Sequence, residues 1–487
     1  YFKRKLFVFS YSSIFYKSLN FMSLSNFSSV ETAIKNSFIY QTFHYVKQFL
    51  DKNVIKDTYQ SSFIYKHIDM LIILNLVILL ICLTFTKSTI QGLLVLSLLG
   101  LQCLKWIITP KEGHAITLLD VPIVLYILLA LMSVCFSSYF LPSVKGLLKL
   151  LTYFAVYVSA TNLFKGKAQK IYVILGILAF VGGLEAFYAI YQNHAGVEAL
   201  ATWQDLDNIK ADRILTRVFG SLHPYNPNLL AGFLLPIFPI SLLVSVISFL
   251  KKKYLLSIPF LIFGTASALA IVFTGSRGAY IGLAGMGVAL YALVGHFIWH
   301  EFHPQKQGFL TPNKHKLLKV LWLFSGIFCV GALIAVVSSA PALQDRILSI
   351  FTLRGDSSNS YRLNVYLSSI EMFKDNWLIG IGIGNTTFRL VYGLYMVTGF
   401  DALGTYSVPL EIAVEMGITG IFAFLWFLIV LSFNSIKTFL TDKLLEVKLI
   451  IGFLLVALIG IAGQGIFDTI WYRPQIQIVF WIIIAIL

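Results

Sequence analysis

Long apolar stretches separated by short polar segments run through most of the 487-residue chain. A helix of about 20 apolar residues can cross the hydrocarbon core of a bilayer. The pattern therefore predicts an all-α polytopic membrane protein with twelve spanning helices. The range is ten to twelve, because two neighbouring spans that are both wrongly assigned would leave the predicted side of every other segment unchanged. The predicted spans are residues 68–86, 89–108, 117–136, 144–163, 171–191, 228–249, 254–273, 279–299, 318–338, 407–433, 448–467 and 474–487.

Composition supports this class, because 58% of the residues are hydrophobic and the mean hydropathy is +0.82. Only 12% are charged, whereas soluble domains carry roughly 25%. Residues 1–66 lack an apolar run of spanning length and contain nine Lys or Arg against three acids. We predict a cytoplasmic N-terminal segment at 1–66, either with interfacial amphipathic helices such as Asn36–Leu50 or disordered, followed by a transmembrane domain at 67–487.

Basic residues sort by side of the membrane. Of the 37 Lys and Arg residues, 24 fall in alternate segments on one side, and these 24 include the nine of the N-terminal segment. The positive-inside rule makes that side cytoplasmic and predicts an even number of spans, with both termini in the cytoplasm of a multi-pass plasma (inner) membrane protein. The opposite, extracytoplasmic side receives eight of the nine arginines: Arg213, Arg217, Arg277, Arg346, Arg354, Arg362, Arg389 and Arg473.

The arginines on the outer side are not explained by the positive-inside rule. A guanidinium group captures phosphate or carboxylate through two parallel hydrogen bonds, so this distribution predicts an anionic substrate. Two long outer loops, at about 192–227 and 339–406, also favour function, because long loops without spanning structure are uncommon otherwise. The second loop contains a predicted amphipathic helix, Ser360–Phe373.

Other classes of ligand receive no support. The +15 net charge comes largely from lysines scattered over short loops, so we expect no nucleic-acid partner. Cysteines at 82, 103, 135 and 329 lie inside apolar runs and fit small core residues better than disulfides or metal ligands. We expect no metal ion and no other cofactor, and the sequence leaves the oligomeric state open.

The segment from Phe273 to Tyr280, FTGSRGAY, lies where one predicted span ends and the next begins. Its glycines permit a tight turn, and the free N–H groups at the start of the following helix attract anions. Ser276 and Arg277 would then form a seat for phosphate or carboxylate. The alternative is an interfacial Arg277 that extends toward the headgroups.

Two further arginines could share that ligand. Arg362 begins the predicted helix of the second loop, where a positive side chain is unfavourable unless an anion is near. Arg217 opens the segment that closes the first loop, and the same segment carries His223, Asn226 and Asn228. The asparagines fit a helix cap with a supporting role, while His223 is a candidate catalytic base or a structural residue.

Carboxylates at the outer ends of the late spans are the remaining candidates. Glu411 and Glu415 lie four residues apart on one helix face, and Asp468 and Arg473 flank the last outer turn. Carboxylates at membrane depth are costly, so they either pair with arginines or handle protons. The segment Gly380–Asn385, GIGIGN, follows no βαβ pattern, which favours a hinge or close-packing loop over a dinucleotide site.

Taken in order, these segments resemble the O-antigen ligase/polymerase superfamily. Within it the chain is most similar to a cyanobacterial group described as bicarbonate transporters. The resemblance covers about residues 60–487 and rests on ATWQD from Ala201, the stretch Arg217–Gly232, TGSRG from Thr274, Tyr361-Arg362, Gly380–Asn385, YSVPLEIAVEMG from Tyr406, and GIFDTIWYRP from Gly465.

The resemblance implies a fold like that of GT-C membrane glycosyltransferases. It also implies transfer of a glycan from a lipid pyrophosphate on the outer face, with Arg277, Arg362 and Arg217 gripping the pyrophosphate. The superfamily's ligases carry a functional His just before the helix that starts near Tyr406, but here the stretch reads GTYSVP from Gly404. Glu411 or His223 would have to replace it.

Two main hypotheses follow, with a non-catalytic scaffold as a third. One is an extracytoplasmic glycan transferase or polymerase, whose partners are membrane lipids and a lipid-linked glycan. The other is a bicarbonate transporter or an accessory protein of inorganic carbon accumulation. The missing His favours the second. The outer arginines favour the first. The sequence pattern also shows no group of ion-coupling residues and no pair of broken helices at mid-membrane depth, where transporters usually place their sites.

Overall fold

A computed structural model describes residues 41, 45, 62–108, 117–196, 217–302, 311–350 and 357–487. Nearly all of the predicted N-terminal segment lies outside the described residues, including all of Asn36–Leu50 except Gln41 and Tyr45. So do Arg213, Arg354 and the segment that begins at Ala201.

The described part of the chain folds as α-helices joined by turns and loops. In chain order they are α1 Phe63–Cys82, α2 Ser88–Ile108, α3 Asp120–Cys135, α4 Phe140–Phe164, α5 Ala168–Ala195, α6 Pro227–Leu250, α7 Tyr254–Phe273, α8 Arg277–His296, α9 Pro312–Ser339, α10 Pro341–Leu348, α11 Ser357–Asp375, α12 Asn385–Tyr392, α13 Val408–Thr441, α14 Leu445–Gly465 and α15 Pro474–Ile486.

The predicted class is confirmed. Ten helices among the described residues are long and apolar enough to cross a membrane: α1, α2, α4–α9, α13 and α14, with a π-helical turn at Phe297–Glu301 extending α8. Helices α3 and α15 are apolar but have only 16 and 13 residues. The helix count therefore falls within the predicted range of ten to twelve.

The helices divide into two compact units. One comprises the described residues through Ile72 together with Gly100–Asp120, and in it Asp69 accepts from Lys105 across 2.8 Å. The other comprises Ile73–Leu99 and Val121–Leu487. All of the candidate site residues belong to this second unit.

Helix α6 lies at the centre of the second unit and packs against α5, α7 and α14. Small residues let neighbouring helices approach closely, as is usual where lipid replaces water as solvent. A Cβ atom added at Gly282 of α8 would lie 2.6 Å from the carbonyl oxygen of Gly460 on α14. Helix α15 packs on α4 and is almost wholly buried, so it behaves as a core helix despite its length.

The second long loop contains three short helices, α10, α11 and α12. Helix α11 covers the predicted range Ser360–Phe373, and Val365 and Met372 are buried. Leu367 and Ile370 are nevertheless exposed. The helix is thus present, but its apolar residues are not confined to one face as an amphipathic helix requires.

Helix α13 is broken at Gly417, where φ is 67° and ψ is −162°. The segment before α12 lies against the break: the Ile381 amide donates to the Val414 carbonyl at 3.0 Å, and the Ile418 amide donates to the Trp377 carbonyl at 2.7 Å. Gly417 is about 14 Å along the axis from the start of α13. This single break was not predicted from the sequence, because a glycine in an apolar run does not reveal a partner segment far away in sequence.

Candidate functional site

Arg277 begins α8 directly after the turn Thr274–Ser276, as the sequence predicted. Its side chain is buried, and the guanidinium donates to the amide oxygen of Asn359 in α11. Gly275 adopts a φ of 60°, which glycine tolerates at little cost. Ser276 is buried at the N-cap of α8, and its side chain makes no capping hydrogen bond.

Arg217 is held at the same turn. Its Nε donates to the Thr274 carbonyl at 2.8 Å, and one terminal nitrogen donates to the Asn228 side-chain oxygen at 2.7 Å. Burial lowers the pKa of Arg217 to about 10, the Asp468 carboxylate opposes this shift, and the charges of Arg362 and Arg277 add to it. Arg217 remains charged at neutral pH and lies within electrostatic reach of both other arginines.

Asn226 and Asn228 support this arrangement in different ways. Asn226 is the N-cap of α6 and accepts from the amides of Asn228 and Leu229. The Asn228 side-chain oxygen accepts from the Arg217 guanidinium and so orients it. The cap interpretation therefore describes Asn226, while Asn228 is a direct partner of a site residue.

Arg362 on α11 reaches the loop between α14 and α15. Its guanidinium donates to the Phe467 carbonyl at 2.9 Å and lies 3.7 Å from a carboxylate oxygen of Asp468. Asp468 is buried; burial raises its pKa, while Arg362 and Arg217 oppose this rise. We call these four residues the arginine cluster: Arg217, Arg277, Arg362 and Asp468. It contains three guanidinium groups and one carboxylate.

His223 and Arg473 are placed differently from the cluster. The His223 ring is exposed and packs edge-on against Tyr225, 5.7 Å between centroids. Nothing in these contacts ties the His223 ring to the arginine cluster. Arg473 is the N-cap residue of α15, and burial lowers its pKa, with the nearby Tyr153 and Asp468 acting in the opposite direction.

Glu411 and Glu415 occupy a second polar region on α13. Both are buried, with 1% and 7% of their surfaces exposed. Glu415 accepts from the Gly384 amide at 2.7 Å and from the Tyr472 hydroxyl. The Glu411 oxygens make no well-formed hydrogen bond within the described residues, and the hydroxyl groups of Thr469 and Tyr472 lie within reach of them.

Both glutamates line a half-open cavity of about 240 Å³. We call it the Glu411 cavity, and its polar and aromatic lining comprises Tyr126, Lys145, Lys149, Tyr153, Asn385, Glu411, Glu415, Trp471, Tyr472 and Gln477. The loop between α14 and α15 borders both polar regions, because its Asp468 pairs with Arg362 and its Tyr472 lines the cavity.

Glycines bring the Gly380–Gly384 segment close to the cavity wall. A Cβ atom at Gly380 would lie 2.4 Å from the backbone of Glu415, and one at Gly146 of α4 would lie 2.3 Å from the Ile383 carbonyl oxygen. This segment is a close-packing loop, one of the two interpretations that the sequence left open.

Sequence reasoning missed several contributors to these regions. Lys149 and Tyr472 were not singled out, although a lysine inside a predicted span is itself a signal of a polar pocket. Glu185 and Gln192 of α5 were also missed. Glu185 accepts from the Ser221 amide and hydroxyl at 2.5 and 2.6 Å, and Gln192 accepts from the Gly220 amide at 2.8 Å, which holds the chain directly after Arg217.

Among the described residues, no group of three or more His, Cys, Asp or Glu side chains is placed to hold a metal ion. The cysteines at 82, 103, 135 and 329 are unpaired thiols.

Residues 260–425 match the family model described as O-antigen ligase. The matched range contains Arg277, Arg362, Glu411 and Glu415, whereas Arg217 and Asp468 lie on either side of it. No curated protein sequence matches the chain. The match supports the resemblance at the level of the O-antigen ligase/polymerase superfamily. The chain is a multi-pass membrane protein in which residues 260–425 are similar to that family.

Proposed function

We propose that this protein is a membrane glycan transferase or polymerase that takes its glycan from a lipid pyrophosphate at the arginine cluster. The observation that supports it best is the placement of Arg217, Arg277 and Arg362, which come from three distant parts of the chain. Arg217 contacts the turn that precedes Arg277, and Arg362 pairs with the Asp468 that acts on Arg217. The O-antigen ligase match over residues 260–425 agrees with this chemistry.

The cluster fits an anionic leaving group. The guanidinium groups of Arg217, Arg277 and Arg362 are each held by a neutral oxygen, of Thr274, Asn359 and Phe467 respectively. Groups oriented before the reaction stabilise developing charge without further reorganisation. The N-terminus of α8 adds backbone N–H donors.

The reaction moves one glycosyl group. The acceptor hydroxyl oxygen attacks the anomeric carbon, its O–H proton passes to a base, and the bond from the anomeric carbon to the pyrophosphate oxygen breaks. The electron pair of that bond leaves with the pyrophosphate at the arginines. We assign Glu411 as the base, because it is buried in a cavity that the Asp468 loop borders, whereas the exposed His223 has no contact with the cluster.

The test is the profile of surface polysaccharides and lipid-linked oligosaccharides in a deletion strain grown at high CO2, so that carbon starvation does not confound it. We expect loss of polymer and accumulation of precursor. The native protein should restore both, and Arg277→Ala should not, because losing one transition-state donor costs about 10²- to 10³-fold in rate.

Arg389→Ala is the matched control, because Arg389 is an exposed arginine of the same long loop, paired with Asp401 outside the cluster. Both variants must reach native levels in the membrane. Unchanged glycans in the deletion strain would contradict the proposal, and so would full complementation by Arg277→Ala.

Bicarbonate transport stays as a second candidate because of one specific observation. The break of α13 at Gly417 borders a polar cavity containing Lys149, and broken helices are typical of transporter binding sites. Under this alternative, the purified protein alone in liposomes should move labelled bicarbonate, and Lys149→Met should abolish the flux. The transferase proposal expects no flux from either protein.

A further inference from the structure

The Glu411 cavity presents buried carboxyl oxygens to a ligand that can donate hydrogen bonds. Glu411 is 1% exposed and lines the cavity. Neither carboxylate oxygen makes a well-formed hydrogen bond among the described residues, although the hydroxyl groups of Thr469 and Tyr472 lie within reach. A buried acceptor that is left unsatisfied destabilises its site. A ligand O–H or N–H group at Glu411 would satisfy such an acceptor.

The charges that face the cavity narrow the class of ligand. Lys145 and Lys149 of α4 line it together with the carboxylates of Glu411 and Glu415. The lysines disfavour an ammonium ligand or a metal cation, and the glutamates disfavour an anion. A ligand without net charge meets both signs without repulsion, and hydroxyl groups can donate to Glu411 while accepting from Lys149.

The remaining lining fits a ring with one apolar face. Tyr126, Tyr153 and Trp471 offer aromatic surface, while Asn385 and Gln477 offer amide groups. The volume of about 240 Å³ lies below the roughly 300–1,000 Å³ of pockets for drug-sized molecules. It suits one ring rather than a chain of rings.

We propose that the Glu411 cavity binds one neutral sugar ring, with ring hydroxyls donating to Glu411. The binding site is argued from the cavity itself, whereas the role of the ring as the acceptor end of a glycan rests on the proposed function. The loop between α14 and α15 connects the two regions: Thr469 lies beside Glu411, and Asp468 pairs with Arg362. A hydroxyl held at Glu411 and a pyrophosphate held at the cluster would therefore border the same loop.

The test is saturation-transfer-difference NMR on the full chain in lipid nanodiscs. The probes are the methyl glycosides of glucose, galactose, mannose and N-acetylglucosamine. Sodium bicarbonate and methylammonium chloride serve as competitors. We expect at least one glycoside to bind the native protein and to resist both competitors. Glu411→Met should weaken that binding at least about tenfold, which corresponds to 1.4 kcal/mol.

Three further variants separate the outcomes. Glu371→Met removes an exposed carboxylate on α11 and should bind like the native protein. Gln477→Leu alters the cavity from α15 and should also weaken binding, which keeps the test valid if Glu411→Met does not fold. Arg277→Ala should retain glycoside binding although it loses transfer.

The inference is overturned if no glycoside binds the native protein, if Glu411→Met and Gln477→Leu bind as well as the native protein, or if bicarbonate displaces the glycoside. Glycoside binding together with unchanged glycans in the deletion strain would leave the sugar site standing and remove the transferase proposal. The two failures are thus distinguishable.

Discussion

At the scale of single residues, the arginine cluster contains its own competitor for the substrate. Asp468 is buried beside Arg362 and acts on Arg217. A bound anion must share these guanidinium groups with the carboxylate. Asp468 therefore sets how strongly the empty cluster attracts a pyrophosphate.

We predict that Asp468→Asn binds undecaprenyl pyrophosphate roughly tenfold more tightly than the native protein at neutral pH, because one repulsive charge is removed. The native protein should approach the affinity of the variant as the pH falls through the raised pKa of Asp468, since a protonated carboxyl group no longer repels the ligand. Binding measured by microscale thermophoresis from pH 7 to pH 4 tests this difference. A native affinity that stays below that of the variant across the whole range would contradict it.

Arg217 also depends on residues that do not touch the proposed ligand. Glu185 and Gln192 hold the backbone from Phe219 to Ser221, directly after Arg217. We predict that Glu185→Gln lowers the stability by about 1–3 kcal/mol, because it replaces one of two buried carboxyl oxygens that accept hydrogen bonds by an amide nitrogen that cannot accept. It should also raise the KM for the lipid pyrophosphate more than it lowers kcat.

Thermal unfolding and steady-state kinetics measure both effects. Glu371→Gln is the control, because its carboxylate is exposed and should change the stability by less than about 0.5 kcal/mol. Equal behaviour of the two variants would show that Glu185 does not position Arg217.

At the scale of elements, the break in α13 depends on a segment from elsewhere in the chain. The amides of Ile381 and Gly382 donate to the carbonyls of Val414 and Glu415, at 3.0 and 3.2 Å. Glycines on both sides permit this approach, because an added Cβ at Gly417 would lie 2.5 Å from the Leu378 backbone. The break and its partner segment therefore form one unit.

Two helical glycines test this unit. We predict that Gly146→Ala lowers the stability by about 1–3 kcal/mol, because its methyl group would overlap the Ile383 carbonyl oxygen. Gly176→Ala, in α5 with no atom within 4 Å of its added Cβ, should be neutral or stabilising by up to about 1 kcal/mol. Thermal unfolding of the two variants in the same detergent measures the difference. Similar melting temperatures would contradict the close packing of Gly146 against the Gly380–Gly384 segment.

At the scale of the whole molecule, the distribution of basic residues predicts which side of the membrane carries the arginine cluster. Leu394 is exposed in the long loop after α12, and Lys443 is exposed between α13 and α14. In a protein whose cysteines at 82, 103, 135 and 329 are replaced by alanine, Leu394→Cys should react with a membrane-impermeant maleimide in intact cells. Lys443→Cys should react only after permeabilisation, and the reverse pattern would invert the topology.

The sequence by itself determined the all-α membrane class and the range of ten to twelve spans, because burial in lipid depends on the local apolar run and on internal backbone hydrogen bonding. It also marked Arg277 and Arg217, since turn and cap signals are local. Only the tertiary structure decided that Arg362 pairs with Asp468, that α13 breaks against Gly380–Gly384, and that Glu411 shares a cavity with Lys149. These features join residues tens to hundreds of positions apart, and no local pattern encodes which distant side chain will fill a given space.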